Sequence, residues 1–323
     1  MPRTFLVVIL LVVTLLFQSW GFYGHRKINR MAVFTLPPEM IGFYKNNIEF
    51  ISHHAVDPDK RRYASSEEAP RHYIDIDHYA SNGEDPFELV PMKWNEAVEK
   101  YSEDTLKAYG IVPWHINRML TWLTKAFEEN NAAKIVSISA DIGHYIADAH
   151  VPLHTTENYN GQLTDQKGIH GLWESRIPEL TADKFDYLVG RSIYIGDPLK
   201  EIWKAVKESH SYLDSVLLIE KKLSQQFPSD QKYTVETRGA STVRQYSQQY
   251  ALTYSKRMGN MVEQRMQKAI AMVGSMWYTA WVNAGQPDLD KMKQLGLLEK
   301  LLKQEKIEKA FLQHKIKGRS HED

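Results

Sequence analysis

The run of residues from Ala132 to Ala149 is the feature that most limits how this chain can fold. It is too apolar for a surface helix, so it predicts a helix at the centre of the protein. His144 and Asp148 lie four residues apart within it, and residues at that spacing share one face of a helix. The central helix therefore carries a candidate pair of ligands.

Helical patterns also dominate the rest of the chain. Apolar residues recur at helical spacing over residues 24–34, 38–50, 92–108, 113–129, 198–225 and 241–283, and residues 288–317 predict a charged amphipathic helix. Residues 56–91 are rich in proline and polar side chains and predict a long ordered loop, which is usually a functional feature. We see no internal repeat or linker, so the expected fold is all-α, a single multi-helix domain over residues 20–323.

The first nineteen residues predict a signal peptide. A short basic start precedes an apolar run from Phe5 to Phe17, which is shorter than a membrane span usually needs. Ser19 suits the last position before cleavage, whereas Phe17 fits the usual small residue poorly, so an uncleaved membrane anchor is the alternative. Cleavage would leave no integral membrane segment. We expect an exported protein, periplasmic or secreted, and a monomer.

Composition excludes several kinds of site. The 323 residues include no cysteine, which rules out disulfides and thiolate zinc sites. Lys plus Arg is 40 and Asp plus Glu is 40, so the chain has no global field that attracts a polyanion. This balance argues against a protein that coats duplex DNA. A local cationic pocket made by metal ions is still compatible, because residue counts leave out metal charge.

Histidines and carboxylates recur at ligand spacing on both sides of the central helix. The segment HGLWE repeats the four-residue spacing with His170 and Glu174. A single pair of this kind is more often a hydrogen bond than a metal site. The whole set of nitrogen and oxygen ligands, however, suits zinc. In chain order the candidate ligands are Trp20, His25, Asp57, His72, His144, Asp148, His154, His170 and Glu174.

Together these motifs resemble the superfamily of zinc-dependent phospholipase C and the S1/P1 nucleases. The resemblance rests on W-x4-H, D-x14-H-Y-I-D, H-x3-D-x-H-x-P-L-H and H-x3-E, and it covers about half of the chain, from Trp20 to about Glu174. The first two motifs and H-V-P-L-H-T-T-E-N-Y are more similar to the nucleases. Glu174, where those nucleases usually have Asp, is more similar to the phospholipases, and nuclease members commonly carry disulfides that this chain lacks.

The resemblance implies a trinuclear zinc cluster. One ion would be held by Asp57, His72, His144 and Asp148, a second by His154, His170 and Glu174, and a third by His25, Asp148 and the amino group and carbonyl of Trp20. Asp148 would bridge the first and third ions. A free α-amine has a pKa of about 7.7–8.0, low enough for a metal to displace its proton. Removal of the leader would then create a ligand that the precursor lacks.

The reaction implied by the resemblance is hydrolysis of a phosphodiester by a zinc-activated water. The substrate would be single-stranded nucleic acid or a phospholipid head group. Asp75 would orient the attacking water, and Lys60 would face the phosphate, with Arg61 and Arg62 competing for that role. Tyr73 adjoins His72 and would stack on a base or pack on an acyl glycerol, unless it is a plain packing aromatic.

A zinc-binding protein without turnover is the alternative function. The second ion of the implied cluster keeps room for water, and Asp75 is present, which both favour an enzyme because a purely structural zinc has a closed coordination shell. His150 lies inside the best motif, but the resemblance does not make it a ligand. We interpret it as a residue at a helix end or behind the ligands.

Overall fold

The computed structural model describes residues 22–81, 83–238 and 241–292. Helices dominate these residues, and one antiparallel hairpin is the sheet found among them. In chain order the helices are α1 (Phe22–Ala32), α2 (Pro38–Asn46), α3 (Ile48–His53), α4 (Asp57–Arg61), α5 (Pro86–Leu89), α6 (Trp94–Tyr101), α7 (Glu103–Tyr109), α8 (Val112–Glu128), α9 (Ala132–Ala149), α10 (Ile169–Gly171), α11 (Ile177–Thr181), α12 (Pro198–Ser211), α13 (Leu213–Gln226), α14 (Gln248–Met258) and α15 (Met261–Asn283). The expected all-α class is confirmed.

Helix α9 lies at the centre of the fold, with the bounds that its sequence predicts. It packs against α8, α1 and α15, and its apolar residues are almost all buried. Apolar side chains on every side of a helix require protein on every side, which is why the segment lacks the polar face of a surface helix. Polar groups that α9 carries are therefore enclosed by the surrounding helices.

A glycine lets α1 approach α9 closely. Asn29 is fully buried in α1 and donates a hydrogen bond of 2.9 Å to the Ala140 carbonyl of α9. A Cβ atom at Gly143 would lie 1.9 Å from Oδ1 of Asn29, so a larger residue there would push the helices apart. The close approach brings His25 of α1 onto His144 of α9, with ring centroids 4.1 Å apart.

Several predicted helices are divided in the structure. The helix predicted over 92–108 breaks at Ser102, which has a φ of 69° and caps α7 with its side chain. Those over 38–50 and 198–225 break at Asn47 and Tyr212. The predicted loop over 56–91 contains α4, α5 and short 3-10 turns. Each break depends on the conformation of a single residue. A periodic pattern is judged over many residues, so it does not reveal such a break.

The prediction of a helix from residue 241 is wrong at its start. Residues Tyr233–Arg238 (β1) and Ser241–Tyr246 (β2) form the antiparallel hairpin, and α14 begins only at Gln248. Both strands are rich in β-branched threonine and valine, which favour a pleated conformation. The strand pattern covers only a few residues, and the long helical pattern that follows it conceals it.

Two predicted segments lie outside the described residues. These are the leader with Trp20 and most of the charged helix over 288–317, of which the structure shows a 3-10 turn at Leu289–Lys291. Among the helices of the described part, none is both long enough and apolar enough to cross a membrane.

Candidate metal centre

Histidines and carboxylates from six parts of the chain converge at the central helix. Within the described residues, three groups of side chains have ligand atoms no more than 4.8 Å apart. The groups are His25 with His144 and Asp148, Asp59 with His72 and His144, and His154 with His170 and Glu174. Of the predicted ligands that lie in the described part of the chain, they contain all except Asp57; Trp20 lies outside that part.

Local structure explains how the ligands are presented. Helix α9 supplies His144 and Asp148 from one face, and α1 supplies His25. His72 directly follows the 3-10 turn Ala69–Arg71, and His154 lies within the turn Pro152–Thr155. Each of these short turns contains a proline, and both histidine side chains are buried.

His170 and Glu174 lie on a widened helical turn. Residues Leu172–Arg176 form a π-helix between α10 and α11. Pro178 has no N–H group, so it cannot donate to the Glu174 carbonyl as the fourth residue of an α-helix would. Turns of this kind are frequent at functional sites. Here His170 Nε2 lies 2.7 Å from Glu174 Oε2.

The two oxygens of Asp148 face different groups. Asp148 Oδ2 lies 3.0 Å from His72 Nδ1 and 3.3 Å from His144 Nε2. Asp148 Oδ1 lies 3.5 Å from His25 Nε2. A carboxylate placed in this way can contribute one oxygen to each of two neighbouring cations.

Glu174 also lies between groups. Its Oε2 atom is 3.2 Å from His154 Nε2, and its Oε1 atom is 2.9 Å from His25 Nε2. The group around Glu174 and the group around Asp148 therefore meet at His25. The donors form one continuous cluster rather than three separate sites.

Three of the histidines are oriented by backbone carbonyls. Nδ1 of His144 lies 2.8 Å from the Ala55 carbonyl, and Nδ1 of His154 lies 2.6 Å from the carbonyl of His72. Nδ1 of His170 lies 3.2 Å from the Tyr159 carbonyl. A ring N–H that donates outward leaves a lone pair on Nε2, which faces the cluster in all three cases. This is the arrangement usual for histidines that bind metals.

The charges of the cluster fit a bound cation. Burial, together with the charges of Glu174 and Asp59, raises the pKa of Asp148 well above its usual value. Burial also raises the pKa of Asp59. For Glu174 burial acts in the same direction, but the interaction with His154 and the close contacts with His170 and His25 outweigh it and lower the pKa well below its usual value. Buried carboxylates that repel one another are stabilised by a divalent cation, and the histidine and carboxylate donors suit zinc.

Asp59, rather than Asp57, faces the cluster. Asp59 Oδ1 lies 3.8 Å from His72 Nδ1 and 3.7 Å from His144 Nε2. Asp57 instead accepts a hydrogen bond of 2.8 Å from His54 Nδ1. Both residues lie on α4, where two positions along the chain correspond to a rotation of about 200° around the helix axis. Their side chains therefore point in nearly opposite directions. The structure thus adds Asp59 as a candidate ligand, and the assignment of Asp57 stays a prediction.

The predicted phosphate-binding cations are also placed differently. Lys60 is buried, with Nζ 3.6 Å from Asp57 Oδ1. The guanidinium of Arg61 turns away, and it donates to Asp141 and to the Tyr145 hydroxyl at 3.2 Å each. Arg62 is the cation at the cluster, with its guanidinium 3.5 Å from Asp59.

A small cavity adjoins the cluster. It is lined by Arg62, His72, Tyr73, Leu153, His154, Tyr159 and His170. Tyr73 thus lines a cavity next to the cluster. Tyr159 was not singled out by the sequence, although it belongs to the H-T-T-E-N-Y motif next to His154.

Asp75 and Asp77 lie on the segment that follows His72. Asp75 is buried, and its backbone N–H donates to the Tyr109 carbonyl at 2.7 Å. Asp77, which the sequence analysis did not select, accepts hydrogen bonds from the Thr156 hydroxyl and the Glu157 backbone. It thereby joins this segment to the loop that follows His154.

His150 lies at the end of α9, outside the three donor groups. Its Nδ1 atom is 2.8 Å from the Ile146 carbonyl, and burial together with Arg265 lowers its pKa to about 3. A neutral, buried ring at a helix end agrees with the helix-terminal role expected for it.

Comparison with known families extends the resemblance along the chain. The family model described as S1/P1 Nuclease matches residues 20–275, well past the last predicted ligand. A comparison with curated protein sequences returned no match.

Proposed function

Because the chain belongs to the S1/P1 nuclease family, we propose that it is a zinc-dependent nuclease that hydrolyses phosphodiester bonds in single-stranded nucleic acid. The observation that carries this proposal is the continuous cluster of buried donors in which Asp148 faces two groups at once. Such a cluster suits several adjacent cations, and adjacent cations are the usual means of cleaving a phosphodiester bond.

The proposed centre holds three zinc ions. The first is bound by Asp59, His72, His144 and Asp148, the second by His154, His170 and Glu174, and the third by His25, Asp148 and the amino group and carbonyl of Trp20. The third set requires a mature chain that begins at Trp20. Export and removal of residues 1–19 are therefore part of the proposal.

When bound, zinc supplies Lewis-acid chemistry, which activates water and neutralises charge on phosphate oxygens. The protein supplies orientation. Arg62 lies beside Asp59 at the cavity wall, where its planar guanidinium can donate two hydrogen bonds to a phosphate. We assign Asp75 the role of orienting the attacking water.

The family match is what favours nucleic acid over a lipid head group as substrate. Tyr73 and Tyr159 both line the cavity, and aromatic rings stack on bases with little regard to sequence. Arg62 lines the same cavity and would bind the phosphate attached to the stacked nucleotide. Aromatic rings also hold quaternary ammonium groups such as choline, so the choice between the two substrate classes is made by assay.

A two-substrate assay tests the proposal. We expect zinc-loaded protein that begins at Trp20 to hydrolyse single-stranded DNA or RNA and to leave phosphatidylcholine vesicles intact. Protein stripped of zinc with a chelator is the control and should be inactive on both. Hydrolysis of phosphatidylcholine alone would instead assign a phospholipase. Three bound zinc ions without turnover of either substrate would assign a zinc-binding protein.

The two aspartates of α4 give a matched pair of variants. Asp59→Asn should weaken binding of one zinc ion and slow hydrolysis by at least about 10-fold, because a charged ligand is lost. Asp57→Asn should retain three ions and near wild-type activity, since its carboxylate faces His54. Metal analysis after dialysis and the nuclease assay check both variants. The reverse order of effects would restore Asp57 as the ligand.

A further inference from the structure

His72 is oriented differently from the other histidines of the cluster. Its Nδ1 atom faces the centre, 3.0 Å from both Asp148 Oδ2 and His144 Nε2. In His144, His154 and His170 it is Nε2 that faces the centre, while Nδ1 faces a carbonyl. The outward nitrogen of His72 is therefore Nε2, and it lies 3.8 Å from Oε1 of Glu68.

The Glu68 carboxylate is buried and held from several directions. Its side chain is 2% exposed. Oε2 accepts a hydrogen bond of 2.7 Å from Arg71, and Oε1 accepts one from the Tyr145 hydroxyl. Nε of Arg61 lies 3.6 Å from Oε1. Two guanidinium groups compensate the charge of Glu68, so the carboxylate is fixed in place behind His72.

The positions of the ring protons on His144 and His72 explain why His72 needs a hydrogen-bond acceptor on its outer side. His144 uses its Nδ1 proton on the Ala55 carbonyl, so its Nε2 presents a lone pair to His72 Nδ1. Without a cation, His72 Nδ1 can carry the proton and donate it to that lone pair. With a cation bound, Nε2 of His144 and Nδ1 of His72 must each offer a lone pair to the metal. The neutral His72 ring must then carry its proton on Nε2. That is the nitrogen on the side of Glu68.

We propose that Glu68 is a positioning residue for the zinc ion at His72. Its carboxylate is 3.8 Å from Nε2, longer than a hydrogen bond, and on metal binding a small turn of the ring would let it accept the Nε2 proton and leave Nδ1 free to bind the metal. The inference rests on the proposed zinc centre. Glu68 would do for His72 what backbone carbonyls do for His144, His154 and His170. A carboxylate is a stronger acceptor than a carbonyl and makes the histidine a more basic ligand.

The same network accounts for the position of Arg61. The Tyr145 hydroxyl donates to Oε1 of Glu68. Arg61 in turn donates to the Tyr145 oxygen and to Asp141. Arg61 therefore supports the carboxylate behind His72, whereas the neighbouring Arg62 faces the cavity.

Zinc affinity in Glu68 variants tests the inference. In Glu68→Gln we expect one of the three ions to bind about 10-fold more weakly, and in Glu68→Ala about 100-fold, the range typical for loss of such a partner. The other two ions should keep their affinity. Glu67→Gln is the matched control, because Glu67 is the adjacent glutamate, is 62% exposed and pairs with Lys107. Chelator competition and the ¹¹³Cd spectrum of cadmium-loaded protein measure each ion without relying on activity.

Several results would overturn the assignment. Wild-type affinity and an unchanged ¹¹³Cd spectrum in both variants would remove Glu68 from the site. Equal weakening of all three ions would show a general structural role instead. If the Glu68 variants do not fold, Tyr145→Phe removes the donor but keeps the carboxylate, and it should weaken the same ion severalfold; no change would overturn the proposal. Wild-type protein that binds no zinc would reject the zinc centre itself, together with this inference.

Discussion

Replacement of Asp148 by asparagine is expected to remove most of the bound zinc and to slow hydrolysis by about 1,000-fold. The carboxylate faces His25 with one oxygen and His72 with the other, so its loss affects two ions at once. The neutral amide cannot compensate the charge of two cations. A metal ion lowers the activation free energy of phosphoester cleavage by several kcal/mol, which corresponds to a factor of about 1,000 in rate.

Metal analysis and the nuclease assay on purified Asp148→Asn measure both effects. Asp165→Asn is a suitable control, because residue 165 is exposed and has a φ of 58°, a conformation that asparagine tolerates well. We expect the control to match the wild type. An Asp148→Asn protein that keeps three ions and normal turnover would show that Asp148 does not bridge them.

An extension of the mature amino terminus is expected to have the second large effect. If Trp20 binds zinc through its own amine and carbonyl, a form that begins at Trp20 should hold three ions. A form with Gly-Ser before Trp20 should hold two and lose most turnover, since the amine has become a peptide nitrogen that binds metal poorly. The lost cation would otherwise stabilise the leaving oxygen, a contribution of several kcal/mol.

Comparison of the two forms needs only metal analysis and single-turnover rates. His25→Ala in the form that begins at Trp20 provides a reference, because it removes another ligand of the same ion. The extended form and His25→Ala should resemble each other in zinc content. Equal zinc content and equal rates in the extended and unextended forms would remove Trp20 from the centre and leave a core of histidine and carboxylate ligands.

Local patterns in the sequence were sufficient to predict the central part of this fold. The apolar run from Ala132 to Ala149 set the position and both ends of α9. The four-residue spacings of His144 with Asp148 and of His170 with Glu174 predicted pairs that do share a face, although the second pair lies on a π-turn. These features depend on residues close together in the chain, so they can be predicted without knowledge of the rest of the fold.

Tertiary structure alone decided which neighbours of these ligands take part. Asp57 and Asp59 differ by two residues, and only the packing of α4 shows that Asp59 faces His72. The same packing directs Arg62 to the cavity and Arg61 to Tyr145. Periodicity predicts which residues share a face of a helix, but the rotation of that helix is set by contacts with distant segments.

The contacts that bring distant side chains together had no local signal in the sequence, and only the family resemblance pointed to their meeting. Gly143 and Asn29 bring α1 against α9, and this contact places His25 on His144. Glu68 is near His72 in the chain, but the tyrosine that holds its carboxylate comes from α9. In this protein the sequence determined the kinds of ligand and their local spacing, whereas long-range packing determined their orientation, because buried polar groups are satisfied by whichever partners the fold brings near them.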